Sequence, residues 1–137
     1  MSSLERLVYQ STATGTTDSL LNLSVILAES QRNNGRDDLT GALAAHRDRY
    51  IQVIEGPSQT LDGLLRRLAK DSRHRDIQII DRIPIAGRSF SGWTMASARI
   101  APSQASALDA LMTAERPSGP QIVALLRESL AAGAATT

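Results

Sequence analysis

The sequence predicts an α+β sandwich of the ferredoxin-like type: a five-stranded mixed sheet with two helices on one face and a C-terminal helical hairpin as a cap. Three observations lead to this fold class. Segments of alternating apolar residues are interleaved with segments of helical period, in the order strand, helix, strand, strand, helix, strand, strand. The 137-residue length and the 42% hydrophobic content suit one core. Beyond Pro102 the composition shifts to Ala, Ser and Leu, as expected for short helices.

The N-terminal segment predicts one strand and one helix. Residues 4–11 alternate between two faces, which is typical of a short strand. A helix is predicted from Asp18, a suitable N-cap, to about Arg32, because its leucines share one face. The Asn-Asn-Gly run at 33–35 tolerates a left-handed backbone, so we expect the helix to stop there.

The middle of the chain predicts a hairpin followed by a second helix. The apolar runs 39–46 and 50–55 are separated by the short polar link 47–49, which favours an antiparallel hairpin. After Ser58, leucines recur at i, i+3, i+4 and i+7, which indicates an amphipathic helix ending near Lys70. These leucines are Leu61, Leu64, Leu65 and Leu68.

The remaining elements are two strands and the helical hairpin. Residues 77–85 and 93–100 are predicted as the fourth and fifth strands. Two short helices follow, joined by a turn containing Pro117, Gly119 and Pro120. We expect the hairpin to pack on the open sheet face or on a second subunit, and residues 131–137 to be frayed. The apolar positions of the two helices are Leu108, Leu111 and Met112, then Ile122, Leu125, Leu126 and Leu130.

Several classes of function are disfavoured by composition. The net charge is +1 and the basic residues are scattered, so no nucleic-acid surface is indicated. The absence of cysteine excludes disulfides and thiol catalysis and suits a reducing compartment. No phosphate-binding glycine loop, leader or membrane-length apolar run is found, and His46 and His74 lack a spaced carboxylate partner for a metal. We therefore expect a cytoplasmic protein without a metal site.

Two polar residues lie at strand positions where buried apolar side chains are expected. Tyr9 lies in the middle of the first strand and Gln52 in the middle of the third. A buried glutamine needs partners for its donors and acceptors, whereas on an edge strand it faces solvent, and the pattern leaves both open. By pattern alone, Trp93 and Met95 are core residues.

Two further features have ordinary structural interpretations. Asn33 and Asn34 suit a helix C-cap. Arg67 and Asp71, at i and i+4, suit a surface pair.

Together these residues resemble the BLUF domain, a flavin-binding blue-light sensor. The likeness lies in five stretches that follow the order of the family over about the first hundred residues. Tyr50 to Pro57, with Asn-Asn upstream and Trp-x-Met downstream, is a specific combination. The stretches are RLVYQS (6–11), SQRNNGRDDLTGAL (30–43), YIQVIEGP (50–57), DSRHRDIQII (71–80) and RSFSGWTM (88–95). Where the family usually has Asp-Pro-Arg-His, this chain has Asp71-Ser72-Arg73-His74, which should alter only the helix end.

The resemblance implies a site for FAD, held non-covalently between the two sheet-packed helices. The flavin ring would be flanked by Ile26 and Leu68, with Asn34 donating to its C4 carbonyl and Gln52 bridging that edge and Tyr9. Trp93 and Met95 are implied as photoactive residues beside Tyr9 and Gln52. The other implied cofactor-binding residues are Asn33, Arg67 and Asp71, and, for the FAD tail, Arg32, Arg73 and His74.

The function implied is a blue-light photoreceptor without enzymatic activity. Residues 1–100 would form the photosensor domain and 101–137 the helical cap with its frayed tail. Because no output domain is expected, the response would pass to a separate signalling protein, in a chain that forms homo-oligomers. Two alternatives are a light-insensitive oligomeric interaction module of the same fold and a small enzyme of the acylphosphatase kind.

Overall fold

The computed structural model describes residues 4–13, 29, 31–47, 49–70, 74–98, 100–115 and 117–135. Residues 31–36 are helical. The strands are β1 (Leu4–Ala13), β2 (Thr40–His46), β3 (Arg49–Pro57), β4 (His74–Pro84) and β5 (Ala96–Ser97). The helices are α1 (Ser58–Leu68), α2 (Pro102–Thr113) and α3 (Gly119–Ala135).

The five strands form one mixed sheet in the order β4-β1-β3-β2-β5. The first four strands pair antiparallel with their neighbours, and β5 pairs parallel with β2. β1, β3 and β2 are the inner strands, and the register of β1 with β3 places Tyr9 opposite Gln52. The predicted fold class is therefore confirmed, and the predicted hairpin is formed by β2 and β3, with Arg47, immediately after β2, having a φ of 50°.

Strand alternation sorts the side chains onto two faces, each with its own core. One face carries α1, and we call its core the site core: Leu7, Tyr9, Leu39, Leu43, Tyr50, Ile54, Leu61, Leu68 and Met95. The opposite face carries α2 and α3, and its core includes Val8, Ala42, Ile51 and Val53 of the sheet with Leu108, Ile122 and Leu126 of the helices. Neighbouring residues on one strand therefore point into different cores.

The helical hairpin α2–α3 packs on the sheet, which is one of the two positions predicted for it. Polar contacts add to its apolar core. The Gln10 amide nitrogen donates to the Met112 carbonyl at 3.2 Å, and His46 Nε2 lies 2.7 Å from Asp109 Oδ1. Gln10 follows Tyr9 on β1, so adjacent residues of one strand contact the hairpin and the site core.

The guanidinium of Arg82 on β4 joins three elements at the start of α1. It contacts Glu5 on β1 at 2.9 Å and Asp62 on α1 at 2.7 Å. It also donates to the carbonyl and hydroxyl of Ser58 at 3.0 and 3.1 Å. The hydrogen bond to Asp62, followed by the contact with Glu5, raises the pKa of Arg82 above its ordinary value. Arg82 therefore holds α1 against the sheet edge.

Four predicted elements have wrong boundaries. The helix expected to stop at 33–35 continues to residue 36, and Asp38 takes the left-handed conformation with a φ of 58°. The Leu39 N–H then bonds the Asn34 carbonyl at 2.9 Å, as in a Schellman motif. Most of the predicted 18–32 helix lies outside the described residues. β4 begins earlier than predicted, at His74.

The other two differences concern β5 and α3. The predicted strand 93–100 is reduced to Ala96–Ser97. Gly119 and Pro120, expected in a turn, open α3, because proline is tolerated in a first helical turn. The tail expected to be frayed from residue 131 is helical to Ala135.

Candidate functional site

The centre of the site is a pair of polar side chains on the neighbouring inner strands β1 and β3. Tyr9 is 0% exposed and Gln52 is 4% exposed. The Tyr9 hydroxyl donates to Gln52 Oε1. Because β3 lies between β1 and β2, Gln52 is not on an edge strand, and the alternative that it faces solvent is wrong.

The Gln52 carboxamide has a second end. Its Oε1 accepts from Tyr9, and its Nε2 carries two N–H donors. A buried carboxamide normally has its hydrogen-bonding groups satisfied by protein, water or ligand. Gln52 is therefore suited to contact a bound polar ligand while it holds Tyr9.

Asn34 belongs to the helical segment 31–36 and faces the chain leading into β5. It is 2% exposed, and its Nδ2 donates to the Thr94 carbonyl at 2.6 Å. One turn earlier, Gln31 Nε2 donates to the Met95 carbonyl at 3.2 Å. Neither Gln31 nor the Thr94 carbonyl was predicted as part of the site, since an exposed helical glutamine gives no signal in a single sequence. The predicted residue Asn33 is half-buried.

Met95 and Trp93 lie in different environments. Met95 is 2% exposed and belongs to the site core with Tyr9. Trp93 is 51% exposed, so the expectation that it is a core residue is wrong. It follows Gly92, whose φ of 85° places a turn here instead of a strand. The structure thus places Met95 in the Tyr9 core and Trp93 at the surface.

The remaining predicted residues are only partly described. Leu68 is buried in the site core, whereas Arg32 and Arg67 are exposed. Arg67 contacts Asp37 at 3.3 Å. Ile26, Asp71 and Arg73 lie outside the described residues, as does the side chain of His74.

Asp37 is a charged group near this site whose pKa is shifted. Its carboxylate accepts from Arg36 at 3.1 Å and contacts Arg67 at 3.3 Å. The hydrogen bond from Arg36 lowers the pKa of Asp37 more than partial burial raises it, and the charge of Arg67 lowers it further. Asp37 therefore forms an ion pair with the predicted cofactor residue Arg67.

Glu55 is a buried residue that the sequence did not single out. It is 0% exposed. Its carboxylate accepts from the Thr40 hydroxyl at 3.0 Å and from the backbone N–H groups of Ser89 and Phe90 at 2.6 and 2.9 Å. Arg88 closes the network by donating to the Thr40 hydroxyl at 2.9 Å. Glu55 thus anchors the loop that leads to Trp93.

The donor set suits a flavin. Asn34 and Gln52 offer carboxamide N–H groups, and the aromatic and aliphatic side chains of Tyr9, Leu68 and Met95 supply an apolar wall. Flavins have a flat apolar ring with carbonyl acceptors on one edge, so these groups match. Within the described ranges no group of three or more His, Cys, Asp or Glu could hold a metal ion.

Fold and site together define a small flavin-binding sensor domain, and comparisons with known proteins agree. A family model described as BLUF, sensors of blue-light using FAD, matches residues 4–96. The photoactivated adenylate cyclase subunit beta of Euglena longa is 34% identical over 98 residues, 71% of this chain and 11% of that protein. The chain belongs to the BLUF family, and its cofactor is FAD.

Solved structures show the same relationship. The dark-state structure of BlrB, a BLUF protein, matches with a TM-score of 0.75 at 32% identity, over 97% of this chain and 98% of that chain. A bacterial light-regulated adenylyl cyclase matches with a TM-score of 0.71 at 29% identity, over 80% and 33% of the two chains. The chain spans about a tenth of the curated relatives it matches. Among the described helices, none has the length and apolar character needed to cross a bilayer.

Proposed function

We propose that this blue-light sensor signals by rearranging the hydrogen bonds between Tyr9, Gln52 and the flavin edge. The observation that carries the proposal is the buried contact between the Tyr9 hydroxyl and Gln52 Oε1. When bound, FAD supplies blue-light absorption and an excited ring that accepts an electron. The protein supplies position and the mobile proton.

Tyr9 is the donor in this scheme. A phenol can give up an electron and a proton, and its hydroxyl proton already points at Gln52 Oε1. Gln52 has chemically different ends, so it rotates or tautomerises once the proton has moved. Tyr9 then recovers the electron and the proton, and its hydroxyl bonds a different atom of the Gln52 carboxamide. No net charge changes, and the new bonding pattern is what persists.

The response extends to the segment before β5. Exchange of one or two hydrogen bonds is worth about 1 kcal/mol each, which biases a nearly balanced element without remodelling a fold. Residues 91–95 are such an element, since they lie outside the sheet ladder and carry an exposed Trp93 and a buried Met95. We propose that Trp93 and Met95 change position here and pass the change on to the cap.

We further propose that the output is a protein–protein interaction in the cytoplasm. Residues 1–100 act as the sensor and 101–137 as the cap, and a separate signalling protein or a second copy of the chain receives the change. The matched Euglena relatives are named photoactivated adenylate cyclase subunits, which supports coupling of such a sensor to an effector. The absence of cysteine suits a reducing compartment.

The test is a reversible absorption change. Purified, FAD-loaded protein is illuminated with blue light, and its flavin bands are followed during and after illumination. The proposal expects a shift to longer wavelength that reverts in darkness without net flavin reduction. A protein that holds FAD but shows no reversible shift would refute the proposed function.

A further inference from the structure

We propose that Gln31 is a positioning residue that sets the lifetime of the light-activated state, by forming with Asn34 a two-amide clamp on the segment before β5. The clamp consists of Gln31 Nε2 on the Met95 carbonyl at 3.2 Å and Asn34 Nδ2 on the Thr94 carbonyl at 2.6 Å. This inference rests on the proposed function and adds a residue and a regulatory role to it.

The clamp follows from helical spacing and from an interrupted ladder. Residues 31 and 34 are three apart in one helical segment, so their side chains share a face. The facing carbonyls of Thr94 and Met95 are consecutive and precede the two-residue strand β5. Side-chain amides thus bond these carbonyls just before the β-ladder begins.

The tethers on either side of the clamp are backbone bonds. The Gly41 N–H donates to the Trp93 carbonyl at 3.0 Å, and the Ala98 N–H donates to the Leu43 carbonyl at 2.8 Å. Between these two points, the side chains of residues 31 and 34 fix the segment that carries Met95 into the site core. Movement of Met95 out of that core requires the clamp to open.

Asn34 also connects the clamp to the flavin edge. A carboxamide nitrogen has two N–H donors, and one of them is used by Thr94. The second is available to the carbonyl edge of FAD that the proposed function places beside it. Gln31 is exposed and has no such role, so its contact with Met95 can be removed without touching the ring or the Tyr9–Gln52 pair.

The expected effect is on the rate of reversion. Loss of the Gln31 donor destabilises the dark state, in which Met95 is buried in the site core. Dark reversion has to restore that state. One partly exposed hydrogen bond gives a slowing of about 2- to 10-fold. The size of the absorption shift stays unchanged because Tyr9 and Gln52 are intact.

The experiment compares Gln31→Ala and Gln31→Glu with the control Gln59→Ala in FAD-loaded protein. Glutamate keeps the shape of glutamine but offers no N–H, whereas Gln59 is an exposed glutamine at the start of α1. Both Gln31 variants should revert more slowly with a full shift, and the control should match the unaltered protein. Unchanged or faster reversion in both Gln31 variants overturns the proposal.

A second readout distinguishes a clamp from a general structural effect. Protein labelled with ¹³C at the methionine carbonyls, in a Met112→Leu background, carries the label at Met1 and Met95. Light-minus-dark infrared spectroscopy then reports the Met95 carbonyl, and a Met95→Leu sample identifies the band that belongs to Met1. Illumination should raise the stretching frequency of the Met95 carbonyl as the bond from Gln31 is lost, and Gln31→Ala should show the raised frequency already in the dark. If the Met95 carbonyl band responds neither to illumination nor to Gln31→Ala, the proposed clamp is refuted. Absence of any photocycle in the unaltered protein instead refutes the proposed function.

Discussion

Glu55 offers a quantitative test of how the loop before Trp93 is held. Its fully buried carboxylate accepts from the Thr40 hydroxyl at 3.0 Å and from two backbone N–H groups, those of Ser89 and Phe90, at 2.6 and 2.9 Å. Glu55→Ala leaves two backbone donors without an acceptor, at about 1–3 kcal/mol each, beside the loss of the Thr40 bond. We expect a loss of about 3–5 kcal/mol in the free energy of unfolding. Glu55→Gln keeps one oxygen and should cost about 1–3 kcal/mol.

These losses are large against the stability of a typical domain, about 5–15 kcal/mol. Urea unfolding followed by circular dichroism, at one fixed FAD concentration, measures them, because bound ligand adds to apparent stability. Glu115→Gln is the matched control, since Glu115 is exposed and should change stability by less than about 0.5 kcal/mol. If Glu55→Gln unfolds at the same urea concentration as the control, the carboxylate does not anchor the loop and the reasoning fails.

Three further predictions concern other parts of the fold. Arg82→Ala removes contacts to β1 and α1. The free energy of unfolding of this variant, measured by urea denaturation, should be about 1–2 kcal/mol lower than that of the unaltered protein. An unchanged value would mean that the contacts are not formed in solution. Because Asp37 has a lowered pKa, its ion pair stabilises the fold above about pH 4 and is lost as pH falls through the folded value. Asp37→Asn should therefore be under about 1 kcal/mol less stable at pH 7, and this difference should vanish as the pH falls through the folded pKa, whereas a constant difference would contradict this. Trp93, the single tryptophan, should be readily quenched by acrylamide in the dark protein, and strong protection would contradict its surface position.

Most of the sheet could be predicted because each strand carries its own local signal. Alternation in residues 4–11 and the apolar runs of the hairpin determine which side chains face a core. The same patterning sets the register that brings Tyr9 opposite Gln52. That pairing could be expected only from the family resemblance, since partners on different strands have no spacing rule in a single sequence.

The errors lie where distant groups override a local pattern. Residues 93–100 alternate like a strand, yet Gly92 turns the chain and side chains of the 31–36 segment bond the Thr94 and Met95 carbonyls. In the sequence, Glu55 has the pattern of a polar residue at the end of a strand. It is buried because the loop containing Ser89 and Phe90, more than thirty residues later, packs over it. Such contacts have no signature in the local sequence.

The central claim is tested most directly by light-minus-dark absorption spectra of Tyr9→Phe and Gln52→Leu. Phenylalanine and leucine preserve bulk in the core but remove the hydroxyl and the carboxamide, so both variants should still copurify with FAD. The account predicts that each remains yellow and shows no reversible red shift under blue light. Normal cycling in both variants would contradict the proposed mechanism while leaving the family membership intact.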